Sequence, residues 1–203
     1  MTLMPNNIRT IKDKSEFQLK VKGSLFIASA NPVKNEDETS TLINSQKKIH
    51  YDASHHCYGY KFADGLFKYS DAGEPSGTAG IRIMNAINHF NLSNVIVIVT
   101  RYFGGTKLGV PVLINAYRTA SSEAIKNGFV IEKTVNQIFE IVFEYVDMND
   151  VMTVLKEEQL EQFNQNFELT CSLRVKIRLN DAEKLKSRIE KIETVKVKNI
   201  GIE

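Results

Sequence analysis

Cysteine occurs only twice in this chain of 203 residues, at Cys57 and Cys171, far apart and at no metal-ligand spacing. That pattern fits a reducing compartment and offers no zinc cluster. No apolar run approaches the ~20 residues that span a bilayer. The opening stretch Met1-Thr-Leu-Met-Pro-Asn-Asn lacks a basic segment leading into an apolar one, so no signal peptide is expected. An excess of one charge sign is missing too: 26 Lys and Arg against 24 Asp and Glu leave +2, which does not by itself point to nucleic acid. Together these absences predict a soluble, cytoplasmic protein with no membrane partner. With 42% hydrophobic residues, it is long enough for one large domain or two small ones.

The charge is nonetheless unevenly spread. From Glu144 to Glu168 seven acidic residues face one lysine, a net of −6, whereas from Cys171 to Lys198 nine Lys and Arg face four Asp and Glu, a net of +5. Either run reads as solvated surface, and the second also as a basic face near the C-terminus.

Periodicity divides the chain near residues 131–135, where no Pro/Gly/Ser linker intervenes. In the first part, residues 16–32 predict two strands around a turn at Lys22-Gly23, and 36–50 a helix with Leu42, Ile43 and Ile49 on one face. His55–Phe62 reads as a strand. Gly77–Phe90 reads as a helix with the stripe Ile81, Met84, Ile87, and Val95–Thr100 as a central strand buried on both faces. Leu108–Asn127 reads as a helix closed by Asn127-Gly128. In the second part, Val135–Tyr145 predicts a strand, Asp147 a helix cap, and 163–167 and 169–179 two further strands. Asn180 with Glu183 makes a capping box for a last helix, and Val195–Ile202 a last strand. The order βαββαβ over ~70 residues is the ferredoxin-like plan. The fold class expected is therefore α+β, with domains at 1–132 and 133–203. On the strand 169–179, Arg174, Lys176 and Arg178 alternate with an apolar face, as a solvated outer surface or as a cationic stripe against RNA phosphates.

Two glycine-rich stretches, Asp71-Ala-Gly-Glu-Pro-Ser-Gly-Thr-Ala-Gly80 and Arg101-Tyr-Phe-Gly-Gly-Thr-Lys-Leu-Gly109, each run into a helix. Backbone N–H groups gathered this way, with Arg101 and Lys107, suit an anion such as phosphate. Equally, the glycines simply permit tight turns. The candidate ligand-binding residues are Asp71, Glu74, Gly77, Thr78, Arg101, Gly104, Gly105 and Lys107, with Tyr102 and Phe103 as aromatic surface for a nucleic acid. Candidates for catalysis are His55, His56, Cys57, Asp71, Glu74 and Lys107. Glu74, before Pro75, suits a general base or an acceptor for its own loop, and Asp71 an Asx-turn. His55 and His56 point to opposite faces of a strand and do not share a metal. Gly105-Thr-Lys107 is not a P-loop, and Ser76 lacks the strand–turn–helix setting of a hydrolase nucleophile. No complete catalytic set, metal or cofactor is expected.

Three blocks taken in order, Ser54-His55-His56-Cys57-Tyr58, Ser70–Gly80 and Thr100–Gly109 ending in Ala116-Tyr117, resemble the IMPACT/YigZ family over roughly residues 15–130. The resemblance implies an N-terminal domain similar to the second domain of a small-subunit ribosomal protein, with a four-stranded sheet and helices on one face. It also implies a C-terminal domain similar to a module of elongation factor G. Eukaryotic members of that family act in translational control, by binding an activator of a stress kinase. Val110-Pro111-Val112-Leu113-Ile114-Asn115 departs from the family's Gly-Gly-Leu-Val-Arg-Ala-Tyr type of run. Asn115 stands where an Arg is usual, and Arg82 where Pro is usual.

The function expected is a non-catalytic, translation-associated factor that binds RNA, the ribosome or a translation protein through the two loops. An enzyme acting on a phosphorylated or nucleotide-like small molecule in the same cleft, and a protein-docking module, are the alternatives.

Overall fold

A computed structural model describes residues 6–202. Residues 1–5, on which part of the signal-peptide expectation rests, lie outside the described residues. The chain divides into two compact units, Ile8–Lys133 and residues 134–202, with residues 6 and 7 grouped with the second. No described helix is long and apolar enough to cross a membrane.

The first unit is built on a five-stranded antiparallel sheet. In chain order its strands are β2 (Ser15–Val21), β3 (Ser24–Pro32), β4 (His55–Lys61), β5 (Phe67–Ser70) and β6 (Val95–Tyr102), arranged β2-β3-β6-β4-β5. A two-residue turn joins β2 to β3, with Lys22 at φ 45° and Gly23 at φ 83°, the left-handed pair that matches strand twist. Strand β6 is central, and its alternation supplies two cores. Val95, Val97 and Val99 pack with α2 (Gly80–His89) and α3 (Val110–Lys126). Ile96 and Ile98 join Val33, Tyr60 and Phe62 on the other face, where Leu42 and Ile43 of α1 (Glu36–Ile49) cover them. The sheet thus has five strands where the resemblance implies four, and α1 lies on the face opposite α2 and α3. Ile49 ends α1 on the solvent side, 61% exposed, so it does not share the face of Leu42 and Ile43. A two-stranded sheet of β1 (Asn7–Ile11) and β7 (Val130–Thr134) was not legible, because each strand finds its partner across most of the unit.

In the second unit β8 (Asn136–Glu144), α4 (Met148–Glu157), β9 (Gln162–Phe167), β10 (Thr170–Arg178), α5 (Leu179–Ile189) and β11 (Lys196–Ile202) realise the βαββαβ order, with the sheet arranged β11-β8-β10-β9. Phe139, Ile141 and Phe143 of β8 and Leu173, Val175 and Ile177 of β10 point to one face and close the core with α4 and α5. Two caps differ from expectation. The Asp147 carboxylate accepts the N–H and the hydroxyl of Thr194 rather than capping α4. Helix α5 starts at Leu179, whose N–H is taken by the Val135 carbonyl, so Asn180 lies inside the first turn and no capping box forms.

Candidate functional site

The two glycine-rich loops meet at the end of the first unit's sheet where β4 begins and β6 ends. The first of them opens with a tight turn: Ala72 at φ 45° and Gly73 at φ 88°, closed by the Glu74 N–H on the Asp71 carbonyl at 2.9 Å. This turn lets Asp71 reach forward over its own loop. Its Oδ2 accepts the N–H of Gly77 at 2.9 Å, and Oδ1 those of Ala79 and Gly80 at 2.9 and 2.8 Å. Amides at the start of α2, the groups that would otherwise cradle a foreign anion, are therefore held by a carboxylate of the chain itself. Burial alone would raise the Asp71 carboxyl. The N–H groups of Gly77, Gly80 and Ala79, with Arg82 nearby, outweigh it and hold the group below the usual carboxylate range. Arg82 also donates through Nε to the Gly77 carbonyl at 3.0 Å, bracing the same loop. Thr78 is buried, its hydroxyl donating to the Pro75 carbonyl.

The same turn sends Glu74 inward, where it is 7% exposed. Its Oε1 accepts Arg101 Nη1 and the Tyr117 hydroxyl, both at 2.7 Å. Arg101, near the end of β6, is 5% exposed. Its Nη2 donates to Ser24 Oγ at 3.3 Å, and its Nε has no hydrogen-bond partner among the described residues. The guanidinium lies between the rings of Phe26 and Phe103, 5.4 and 5.8 Å from their centroids. A buried cation with a buried carboxylate beside it is a neutral pair, and only that pairing makes the burial of either tolerable.

His55 and Cys57 share a face of β4, and His56 looks the other way, as alternation requires. His55 Nδ1 donates to the Ala72 carbonyl at 3.0 Å, and its Nε2 stands 3.9 Å from Glu74 Oε1. His56 Nδ1 lies 3.2 Å from Thr100 Oγ1. Burial, then Lys47 and His50, lower its pKa. The Cys57 thiol, 3.0 Å from the Asp71 carbonyl and 3.4 Å from the Tyr117 hydroxyl, is pushed up to about 12 by burial and is no ready nucleophile. Burial, with Cys57 and Glu74 beside it, likewise raises the Tyr117 hydroxyl.

The second loop docks on the β2–β3 turn. Gly104 donates to Ser24 Oγ at 3.2 Å, and a Cβ on Gly104 would stand 1.9 Å from the Gly23 carbonyl carbon. Only glycine allows that approach. Beyond it Gly105 (φ 83°), Thr106 and Lys107 are exposed, and Phe103 is half-exposed above Arg101. Tyr102 and Phe103 part company: the Tyr102 hydroxyl meets His50 Nδ1 at 2.8 Å on the opposite face. Asn115 is exposed and accepts from Arg118, at 2.8 Å. Arg174, Lys176 and Arg178 lie in the second unit, on the face of β10 turned from its helices, with Arg174 Nη2 3.0 Å from Glu140 Oε1. Sequence reasoning did not single out Ser24 or Phe26, and took Tyr117 only as a helix and motif residue. For Tyr117 the available signal was its place in the third block, on the buried stripe of α3.

Such an arrangement defines a class: a mixed α/β protein of two units whose first carries two interlocked glycine-rich loops over a neutral Glu–Arg–Tyr cluster. Residues 22–125 match the family model described as the Impact N-terminal domain. The IMPACT family member YvyE of Bacillus subtilis (strain 168) is 34% identical over 152 residues, 74% of this chain and 70% of that protein. YigZ of Escherichia coli (strain K12), also an IMPACT family member, is 25% identical over 160 residues, 77% of this chain and 78% of its own. A crystal structure of a hypothetical protein covers 97% of this chain and 98% of its own with a TM-score of 0.72 at 20% identity, a likeness of fold. The chain belongs to the IMPACT family.

Proposed function

We propose that this chain is a non-catalytic factor of translation that binds the ribosome, with the exposed rim of the two loops as the contact surface in its first unit. One observation carries the reading: the two carboxylates and the thiol at the loops are spent on the fold. Asp71 is held by three amides, Glu74 by Arg101 and Tyr117, and Cys57 is buried as a thiol, while His55 donates a hydrogen bond through Nδ1 to the Ala72 carbonyl. What remains outward is a rim, with Gly105, Thr106 and Lys107 exposed beside the half-exposed ring of Phe103. Arg101, an expected phosphate partner, has an internal carboxylate instead. The phosphate-contacting cation of the loop is Lys107, and Gly77, Thr78 and Gly104 shape the surface. Membership of the IMPACT family, with its translational regulators, supports the assignment.

Co-sedimentation of the purified protein with ribosomes tests it. The wild type is expected to pellet at low salt and to be released as salt rises, because phosphate contacts displace counterions. Lys107→Glu is expected to stay in the supernatant at both. Failure of the wild type to pellet at low salt overturns the proposal.

A further inference from the structure

The sheet of the second unit covers its helices with one face, and strand pairing fixes what stands on the other. Across that face Lys198 of β11 lies opposite Glu140 of β8, Glu140 opposite Arg174 of β10, and Arg174 opposite Phe163 of β9. Lys196, Lys176 and Arg178 occupy flanking rows of the same face. Five cations therefore share one sheet face with Glu140, which Arg174 engages, and with Glu144 at the far end of β8. Only three of the five come from the alternation of β10; the two lysines arrive because β11 pairs with β8 in this register.

Phe163 is there by a device of the backbone. Between Ser172 and Arg174 the β10 strand advances two residues while β9 advances three, from Asn166 to Phe163. The extra residue is a bulge, and Asn164 within it sits at φ 50°, which asparagine tolerates better than most residues. Without the bulge Arg174 would face Asn164, and Phe163 would turn toward the helix side. With it, an aromatic ring is added to the cationic face, and Phe163 is no part of the unit's core.

Alternate residues on a strand are about 6.8 Å apart and neighbouring strands about 4.8 Å. Cations at these intervals, on two strands separated by β8, form a shallow track for a chain of phosphates, with one ring placed for stacking. We propose that this face binds single-stranded RNA, its phosphates along the cations of β10 and β11 and a base on Phe163. The inference rests on the reading of the chain as a factor of translation, and adds to it a second surface with its own ligand chemistry.

Fluorescence anisotropy of the full chain with a labelled oligoribonucleotide, over a series of salt concentrations, tests the proposal. Each phosphate neutralised on a single strand contributes about −0.7 to the slope of log K against log salt, so the two β11 lysines account for about −1.4 of it. Lys196→Gln/Lys198→Gln is expected to flatten the slope by about 1.4 and to weaken binding at least tenfold at low salt. Phe163→Ala is expected to weaken binding roughly tenfold with the slope unchanged, as loss of a stacked base requires. Both substitutions lie outside the core, and unchanged circular dichroism keeps the comparison clean. No binding by the wild type, or a slope the double variant leaves unchanged, overturns the proposal. So does equal binding of polyglutamate that Phe163→Ala does not affect, the result for an acidic-protein surface. Ribosome pelleting without oligonucleotide binding removes this inference and leaves the loop surface standing. Oligonucleotide binding sensitive to the β11 lysines, without pelleting, does the reverse.

Discussion

Arg101 and Lys198 are both cations near one end of a strand, and the molecule uses them in opposite ways. Arg101 belongs to the central strand of its sheet, is closed over by Phe103 and the loop of Gly104, and is paired with Glu74. Lys198 belongs to an edge strand, on the face turned from its unit's helices, and is exposed, a strand away from Arg174. A cation under the surface can be kept only by a carboxylate that travels with it, because desolvation of either charge alone costs more than the fold returns. A cation on an open face needs no such partner and is left for one from outside. The lesson is that a glycine-rich loop with an arginine in it is not an anion site until the chain's own carboxylates have been placed.

The comparison breaks first at Glu74. Glu74→Gln keeps the volume but leaves Arg101 buried and uncompensated, with an expected loss of about 3–5 kcal/mol in denaturant unfolding. Glu74→Gln combined with Arg101→Met removes both charges and is expected to recover a good part of that loss. A double variant no more stable than the single would show that Arg101 is not held by Glu74. A middle-sized effect is expected at Asp71. Asp71→Asn still offers one oxygen to Ala79 and Gly80, but sets an amide N–H against that of Gly77, at a cost of about 1 kcal/mol near neutral pH. The folded-state pKa of Asp71 is depressed, so its contribution is present above the unfolded value near 3.9 and is lost as pH falls through the lower folded value. The gap between wild type and Asp71→Asn should therefore close as the solution is acidified below that unfolded value. A gap that widens with acid would assign the effect to something other than the carboxylate.

These contrasts also explain what could be read in advance. The cations of β10 were legible because a strand has period two, and Leu173, Val175 and Ile177 declare which face is inward. The βαββαβ order followed from the same kind of local pattern, as did the burial of β6. The partner of Arg101 was not legible, since nothing local to Arg101 or Glu74 says that a tight turn at Ala72-Gly73 will carry the carboxylate inside. Tyr117 and Ser24 complete that cluster from two further elements, and only the folded sheet brings the four together. Capping signals misled where a tertiary acceptor intervened, as at Leu179, whose N–H goes to Val135. Phe163 changed faces through a bulge whose one trace in the sequence is an asparagine.

The smallest expected effect sharpens the comparison most. Lys198→Gln removes a charge from an exposed edge strand, where surface substitutions change stability by no more than about 0.5 kcal/mol. Glu140, its neighbour across the ladder, keeps Arg174 as its partner at 3.0 Å, so no carboxylate is stranded by the change. Thermal unfolding of Lys198→Gln should overlay that of the wild type, while its oligoribonucleotide affinity falls and its salt slope flattens by about 0.7. Arg101 offers no such separation: removing its charge alone leaves Glu74 buried without its cation, so stability falls whatever happens to binding. A Lys198→Gln protein that loses more than about 1 kcal/mol would belong with Arg101, as a residue the fold needs, and the face of β10 and β11 would then be part of the scaffold.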